Sequence, residues 1–465
     1  MISKDFFHGK RITVFGLGLN SGGVGTVDFL AKHGAKEIIV TDIKTREELA
    51  PSLEKLKGYK NITLIIGQHR PEDFSHVDMV IKNPLIPWTN EYVKIAEQAH
   101  VPVEMDASLF FQLIPSGVKV IGVTGSKGKT TTATLLAHIL EKAGEKVVRV
   151  GIGQEAVLGK LDQVTLGQSV VFELSSWRLS SLHRIQKSPE IAVVTNIYPD
   201  HLNYYRTMEA YIHDKEAIFA YQKQTGKVIF NARNTETVAM AERAPGAKYF
   251  FSGTEDTLAQ ATLQADELSF RFPDQLDQQI SLTGTKLFGQ HNQENILAAG
   301  LAARIFGITP ETIKKGILSF PGVPHRFEFI REVGGVKYIN DTAATIPEAT
   351  VASLRAIDTP VILLAGGSDK QLPLDTLIEA IVTRAKHTIL FQGDATKKIL
   401  AQLKTRNLNE EPLIVDSMQK AVLAASRMAG VGDTVLLSPG CASFGMFQNE
   451  FDRGEQFRAS VLALS

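Results

Sequence analysis

The sequence predicts an α/β protein of three domains, each built around a mainly parallel sheet. Three observations carry that expectation. Short β-branched strands alternate with helix-length amphipathic stretches along the whole chain, the pattern of parallel sheets with crossover helices. Two of the strands run into glycine-rich turns that open helices, GLGLNSGG at 16–23 and TGSKGKTT at 124–131. At 465 residues the chain is also long for one hydrophobic core.

Taken in order, RITVFGLGLNSGGVGTVDFLAKHGAKEIIVTD reads as strand, glycine turn, helix and a strand closed by an acid. NITLIIG and HVDMVIKN add further strands, giving a Rossmann-like first domain over 1–116. VKVIGVTG opens a second domain over 117–322, which continues through VVRVGI, SVVFELSS, EIAVVTNI and KVIFNA. From about residue 250 the segments FFSG, ATLQADELSFRF and QISLTGTKLFG read as a small antiparallel meander, before the helical run NQENILAAGLAARIFG. The third domain, 323–465, alternates YINDTA, PVILLAGGS, HTILFQG, PLIVD and DTVLLSPG with helices and forms a second Rossmann-like sheet. No internal repeat or low-complexity tract interrupts this order.

Composition narrows the function. Hydrophobic residues at 44% and charged residues at 22% are ordinary for a globular protein. Lys+Arg and Asp+Glu balance at 50 each, so no net charge recruits nucleic acid or an anionic membrane, and any anion must be held locally. The single cysteine, Cys441, excludes an internal disulfide and fits a reducing compartment. No run approaches the roughly 18 apolar residues of a spanning helix, and MISKDFFHGKR has no signal-peptide core; the expectation is a cytoplasmic protein.

The two glycine loops differ in what they imply. GLGLNSGG departs from G-x-G-x-x-G at Ser21, and Asp42 at the end of the next strand offers an acid to a ribose. It reads as a nucleotide turn of some kind or as a structural turn. TGSKGKTT is stronger, because strand, loop, Lys-Thr and helix occur together. Backbone N–H groups of Gly125, Ser126, Lys127, Gly128 and Thr131 can cradle phosphate, Lys129 can neutralise its oxygens and Thr130 can offer a hydroxyl to Mg²⁺. It is not a strict Walker A, since Val123 stands where that motif has its first glycine. Glu173, after one strand, and Asp200-His201, after another, fall at strand ends where open α/β sheets bind ligands.

With these in view the chain resembles the Mur ligase family, ATP-dependent amide-forming enzymes of peptidoglycan precursor synthesis. The motifs are TGSKGKTT, ELSS, NIYPDHL, Lys215 fourteen residues beyond His201, GQHNQEN, PHRFE, NDTAAT, LAGGSDK and LSPGCASF, in the family's order and over nearly the whole chain. The resemblance implies a UDP-binding first domain, a central ATPase domain and a C-terminal domain for the incoming amino acid. It favours the member that joins D-glutamate to UDP-N-acetylmuramoyl-L-alanine, acting as a monomer. By the family mechanism the substrate carboxylate attacks the γ-phosphate of ATP, and the amino acid's amine then displaces phosphate from the acyl phosphate.

Carried over residue by residue, the resemblance gives Lys129, Glu173, His201 and Lys215 catalytic roles. Thr130 and Glu173 would hold one Mg²⁺, and His201 and Lys215 a second, which requires Lys215 as a CO₂-derived carbamate. Asn292 and Asn295 would lie on the adenine side, with Arg326 and Asp341 toward the phosphates and ribose. Leu19, Asn20 and Asp42 match the uracil turn; Ser175 falls among the substrate residues, where Arg178 is offered separately from the resemblance; Thr345, Lys370, Ser443 and Phe444 match the acceptor positions.

Five positions depart from the family pattern: Trp177-Arg178 replaces a Phe-Gln pair, Ala343 a lysine, Gly151 an asparagine and Glu450 an aromatic. Arg178 offers itself as compensation for the lost lysine, or as a salt-bridged arginine near the site. These departures leave L-glutamate or another amino acid open as acceptor. A folylpolyglutamate-synthase-like ligase shares the last two domains but has no first domain of this kind. A catalytically silent nucleotide-binding protein would have little reason to keep Lys129, Glu173, His201 and Lys215.

Overall fold

A computed structural model describes residues 3–19, 21–153, 155–272, 278–287, 289–406, 411–443 and 445–464. It divides into two compact units, one of Met1–Thr283 and Gln293–Ser319, the other of Gly284–Asn292 and Phe320–Ser465.

The first unit holds two sheets. In the first, β1 (Arg11–Phe15), β2 (Glu37–Asp42), β3 (Ile62–Ile66), β4 (Met79–Lys82) and β5 (Val103–Glu104) run parallel in the order β3-β2-β1-β4-β5. The order reverses between β1 and β4, so their carboxyl ends splay into a crevice. Helix α1 (Ser21–Lys32) leaves β1 through the glycine turn. At Gly23 a Cβ would stand 2.1 Å from the Leu17 carbonyl oxygen, so only glycine lets the helix start this close to the strand. Helix α2 (Asp106–Leu113) then leads out of the sheet.

The second sheet contains β6 (Lys119–Thr124), β7 (Val147–Val150), β8 (Ser169–Glu173), β9 (Ile191–Val194), β10 (Lys227–Asn231), β11 (Ala247–Ser252), β12 (Ala261–Gln264), β13 (Glu267–Phe270) and β14 (Gln278–Ser281). Their order is β14-β13-β12-β11-β10-β9-β6-β8-β7, which places β6 between β8 and β9. The loops after these three strands therefore meet at one end of the sheet. Helices α3 (Lys129–Lys142), α4 (Ser176–Ile185), α5 (Met208–Glu216) and α6 (Gln290–Phe306) belong to this part, the last reaching back across the unit boundary in sequence.

The expected meander differs in one respect. FFSG is not an antiparallel member: Phe250 and Phe251 lie in β11, which pairs parallel with both β10 and β12. The helix Thr235–Ala241 between β10 and β11 returns the chain in the same direction, as a crossover must. Only β12, β13 and β14 pair antiparallel, and they extend the parallel sheet.

One apolar cluster runs without a break from Ile12 and Val14 of the first sheet, with Phe7 ahead of it, to Val120, Phe172 and Val194 of the second. Phe110 and Phe111 of α2 bridge them, standing 5.1 and 5.9 Å from the Phe172 ring. Each buried ring contributes roughly 2 kcal/mol by area alone. This shared core explains why the first two sequence regions form one unit.

In the second unit β15 (Glu328–Val333) pairs antiparallel with β16 (Val336–Asn340), and β17 (Val361–Gly366), β18 (Ala385–Phe391), β19 (Leu413–Val415) and β20 (Thr434–Leu437) are parallel. The order is β15-β16-β20-β17-β18-β19. Leu354, Leu377 and Ile381 cover one face; Val422 and, from α7 (Glu450–Leu462), Phe457 and Val461 cover the other.

Candidate active site

The loop after β6 is a cationic cradle. Gly128, with φ +82°, caps α3 in the left-handed region, and a Cβ there would lie 2.2 Å from Asn295 Oδ1. Asn295 reaches this loop from α6 and accepts a hydrogen bond from Thr132 Oγ1 at 3.2 Å. Lys129 Nζ folds back to donate to the carbonyls of Gly125 (2.9 Å) and Ser126 (3.0 Å). Lys215 Nζ, from α5, donates to the same Gly125 carbonyl at 2.9 Å. Two lysine amines thus converge on one oxygen. Ser126 Oγ donates to the Tyr198 carbonyl (3.0 Å) and Lys127 N–H to Asn196 Oδ1 (2.8 Å), which ties the loop to the segment after β9.

Lys215 is 1% exposed and lies 4.7 Å from the Tyr211 ring centroid. Burial, then the neighbouring Lys129 charge, lowers its pKa well below that of an ordinary lysine, against the pull of Asp200, Asp214 and Glu173. A neutral amine is the form that adds to CO₂. Glu173, at the end of β8, accepts from Thr130 Oγ1 through Oε1 at 3.0 Å, while its Oε2 is buried with no hydrogen-bond partner. A buried carboxylate oxygen left open beside a threonine hydroxyl suits a hard divalent cation.

His201 sits at φ +55°, a left-handed conformation that costs about 1 kcal/mol in a non-glycine residue. Its ring lies 4.4 Å from that of Trp177. Burial lowers its pKa, Asp200 opposes this, and Lys129, Lys215 and Lys127 lower it further, so the imidazole is biased toward its neutral, ligating form.

Beside this cluster opens a cavity of about 550 Å³, lined by Gly16, Leu19, Lys82, Asn83, Glu173 and Arg178 among others. It occupies the crevice at the end of β1 and β4 and meets the β8 end of the second sheet. Asp42 stands behind it, accepting the N–H of Gly18 (2.9 Å) and of Lys44 (3.0 Å). Leu19 is exposed on its rim. Arg178 is paired with Asp106, Nη2 to Oδ2 at 3.0 Å and Nε to Oδ2 at 3.1 Å, the salt-bridged alternative, and it also lines the cavity. Ser175 caps α4 by accepting the Arg178 N–H. Gly151, with φ +72°, packs where a Cβ would meet the Glu173 carbonyl at 2.5 Å, which accounts for glycine there.

Sequence reasoning missed Asp106, Lys82 and Trp88. Lys82 is 2% exposed; its Nζ donates to the Ile86 carbonyl (2.8 Å) and lies 4.1 Å from the Trp88 ring centroid. Arg184 covers Trp88 at 4.3 Å, and Trp88 Nε1 donates to Ser180 Oγ at 2.8 Å. Burial pulls the Lys82 pKa down to about 7. A lysine closing the apolar strand MVIK was the available signal.

In the second unit Lys370 Nζ donates to Thr345 Oγ1 at 2.9 Å, and Ser443 is buried. Arg326 is exposed and Asn292 buried. Asp341 has both oxygens engaged: Oδ1 accepts the Phe327 N–H (3.1 Å), Oδ2 accepts Ser353 Oγ (2.6 Å) and Ser438 Oγ (2.9 Å). Burial raises its pKa to about 6. It fastens the turn that carries Arg326. Asn20 and Phe444 lie outside the described residues.

A strand-loop-helix phosphate cradle with a carboxylate, a histidine and a buried lysine at its mouth defines a nucleotide-dependent enzyme. Three family models match in succession: the Mur ligase MurD-like N-terminal domain over 10–104, the Mur ligase middle domain over 123–303 and the Mur ligase glutamate ligase domain over 325–441. The chain belongs to the Mur ligase family and is a ligase. Relatives named UDP-N-acetylmuramoylalanine–D-glutamate ligase include one from Roseiflexus sp., 42% identical over 97% of this chain and 98% of its own length. One from Clostridium kluyveri is 37% identical over 98% of each. Among solved structures, the UDP-N-acetylmuramate-alanine ligase MurC of Thermotoga maritima has a TM-score of 0.62 at 19% identity, covering 98% of this chain and 99% of that one. MurF ligase of the same organism, in complex with ADP, has a TM-score of 0.59 at 18% identity, covering 99% and 97%. These last two speak for the fold alone.

Proposed function

We propose that this ligase joins D-glutamate to UDP-N-acetylmuramoyl-L-alanine in the cytoplasm, converting ATP to ADP and phosphate. The observation that carries the reading is the convergence of Lys129, Lys215, Thr130 and Glu173 at one sheet end, next to a cavity of nucleotide-sugar size. The printed names of relatives that match over nearly their full length support the substrate pair.

The cradle at 125–131 holds the ATP phosphates, with Lys129 released from its carbonyls to meet the γ-phosphoryl oxygens. Asn295 and Asn292 serve the adenine end, and Arg326 the phosphates. The cavity takes the nucleotide sugar, with its uracil at Leu19 and the turn held by Asp42. Ser175 and Arg178 steer the alanyl carboxylate toward the γ-phosphorus held at the cradle. One carboxylate oxygen attacks phosphorus and ADP leaves. The amine of glutamate, oriented by Lys370, Thr345 and Ser443, then attacks the acyl carbon, loses a proton and displaces phosphate.

Thr130 and Glu173 would hold one Mg²⁺, and His201 with carbamylated Lys215 a second. Bound there, Mg²⁺ would neutralise charge on the transferring phosphoryl group. The buried amine of Lys215 adds to CO₂, forming an N–C bond and giving up one proton. That exchanges a neutral amine for an anionic oxygen donor able to hold a cation.

The test is phosphate release with UDP-N-acetylmuramoyl-L-alanine, ATP and a panel of D- and L-amino acids. Release with D-glutamate alone is expected. Release only with another amino acid would move the acceptor and keep the reaction class; no release with any would overturn the assignment.

A further inference from the structure

A second cluster of ligand-type side chains lies where α4 and α5 pack together, outside the machinery above. His183 comes from the last turn of α4, and His213 and Asp214 from the last turn of α5. The two imidazoles stack at 4.3 Å between centroids, 16° from parallel, and His213 Nδ1 stands 3.7 Å from Asp214 Oδ1. One ligand atom from each of the three lies within 4.8 Å of the others. Four-coordinate Zn²⁺ with bonds of about 2.0–2.1 Å brings its ligand atoms to roughly 3.4 Å from each other, so closure of about 1.5 Å completes the set. The His213 side chain, 68% exposed, has room to make that turn.

The surroundings suit a metal. Tyr221 Oη lies 2.8 Å from His183 Nδ1, and His183 Nε2 lies 2.8 Å from the His213 carbonyl, which calls for a proton on Nε2 and donation by Tyr221. Binding an ion through Nε2 would exchange the carbonyl contact for the metal. The ring proton would move to Nδ1, which then donates to Tyr221, the outer hydrogen bond that ligating histidines usually make. Two imidazole nitrogens and one carboxylate select Zn²⁺, Co²⁺ or Ni²⁺ over Mg²⁺.

We infer that His183, His213 and Asp214 form a site for a divalent transition-metal ion, separate from the Mg²⁺ and nucleotide site, that clamps the C-terminal ends of α4 and α5. The experiment titrates Zn²⁺ into the full, chelator-stripped chain without nucleotide, by competition with a chromophoric chelator. Wild type and His201→Ala should bind one Zn²⁺ alike, undisturbed by excess Mg²⁺, and His213→Ala should bind it about tenfold more weakly or worse. Zn²⁺ should raise the unfolding temperature of wild type and leave that of His213→Ala in place. Asp214→Asn is the second variant, should the first unfold. Equal affinity in wild type and His213→Ala, loss of the site in His201→Ala, competition by Mg²⁺, or no saturable binding would each overturn the assignment.

Discussion

The two glycine loops of the first unit share one local plan, parallel strand, tight turn and helix, yet their surroundings have opposite character. At 16–23 the turn is wired to a carboxylate: Asp42 takes the N–H of Gly18, and Gly23 exists to let α1 touch the Leu17 carbonyl. At 125–131 the turn is wired to cations: Lys129 and Lys215 meet on one carbonyl, and Lys127 pairs with Asp200. An acid at the turn suits a ribose or a base edge, and clustered lysines suit a polyphosphate. The glycine spacing sets how close a ligand comes, and the side chains one shell out set which ligand it is.

That contrast can be broken at four points. The largest effect should come from Lys129→Ala, which removes the lysine proposed to meet the transferring phosphoryl group. The kcat should fall roughly 10³-fold or more while the unfolding temperature holds, as steady-state phosphate release and a thermal melt would check. Gly23→Ala should act in reverse, through stability. Its Cβ meets backbone, which cannot move aside, so a loss of about 3 kcal/mol in urea unfolding is expected.

Asp42→Ala should raise KM for the nucleotide sugar by roughly ten- to a hundredfold, leaving KM for ATP within about twofold, because it frees the Gly18 and Lys44 N–H groups of one loop and touches nothing at the other. Equal effects on both substrates would erase the distinction. The most gradual effect, spread over several pH units, belongs to Lys82. Its pKa is near 7 when folded and 10.5 unfolded, so over that window the unfolded chain binds a proton that the folded chain does not. Stability should therefore rise with pH between about 7 and 10.5, by up to about 1.4 kcal/mol per unit, and Lys82→Met should flatten that slope in urea titrations at several pH values.

Much of this was legible in the sequence for a simple reason. Residues of a strand-loop-helix motif are contiguous, so Gly125 to Thr131 arrive together, and a buried parallel strand such as IAVV is apolar throughout. What stayed hidden depended on long loops closing. Asp106 and Arg178 are 72 positions apart and pair only because α2 and α4 share one core. Asp341 shows the opposite limit: its place in NDTAAT pointed outward to a nucleotide, whereas its two oxygens are spent on Phe327, Ser353 and Ser438, partners invisible without the fold. FFSG read as meander because a two-residue period does not reveal strand direction.

The chain has two tryptophans, and both stand at the same place: Trp177, which lines the cavity, lies against His201, and Trp88 is held between Lys82 and Arg184 on the loop after β4. Nearby cations quench indole emission, and solvent exclusion shifts it to the blue. The intrinsic fluorescence of this enzyme, excited at the red edge where tyrosine is dark, therefore comes wholly from the first unit. Occupation of the cavity can be followed without a label, and events confined to the second unit should pass without a signal.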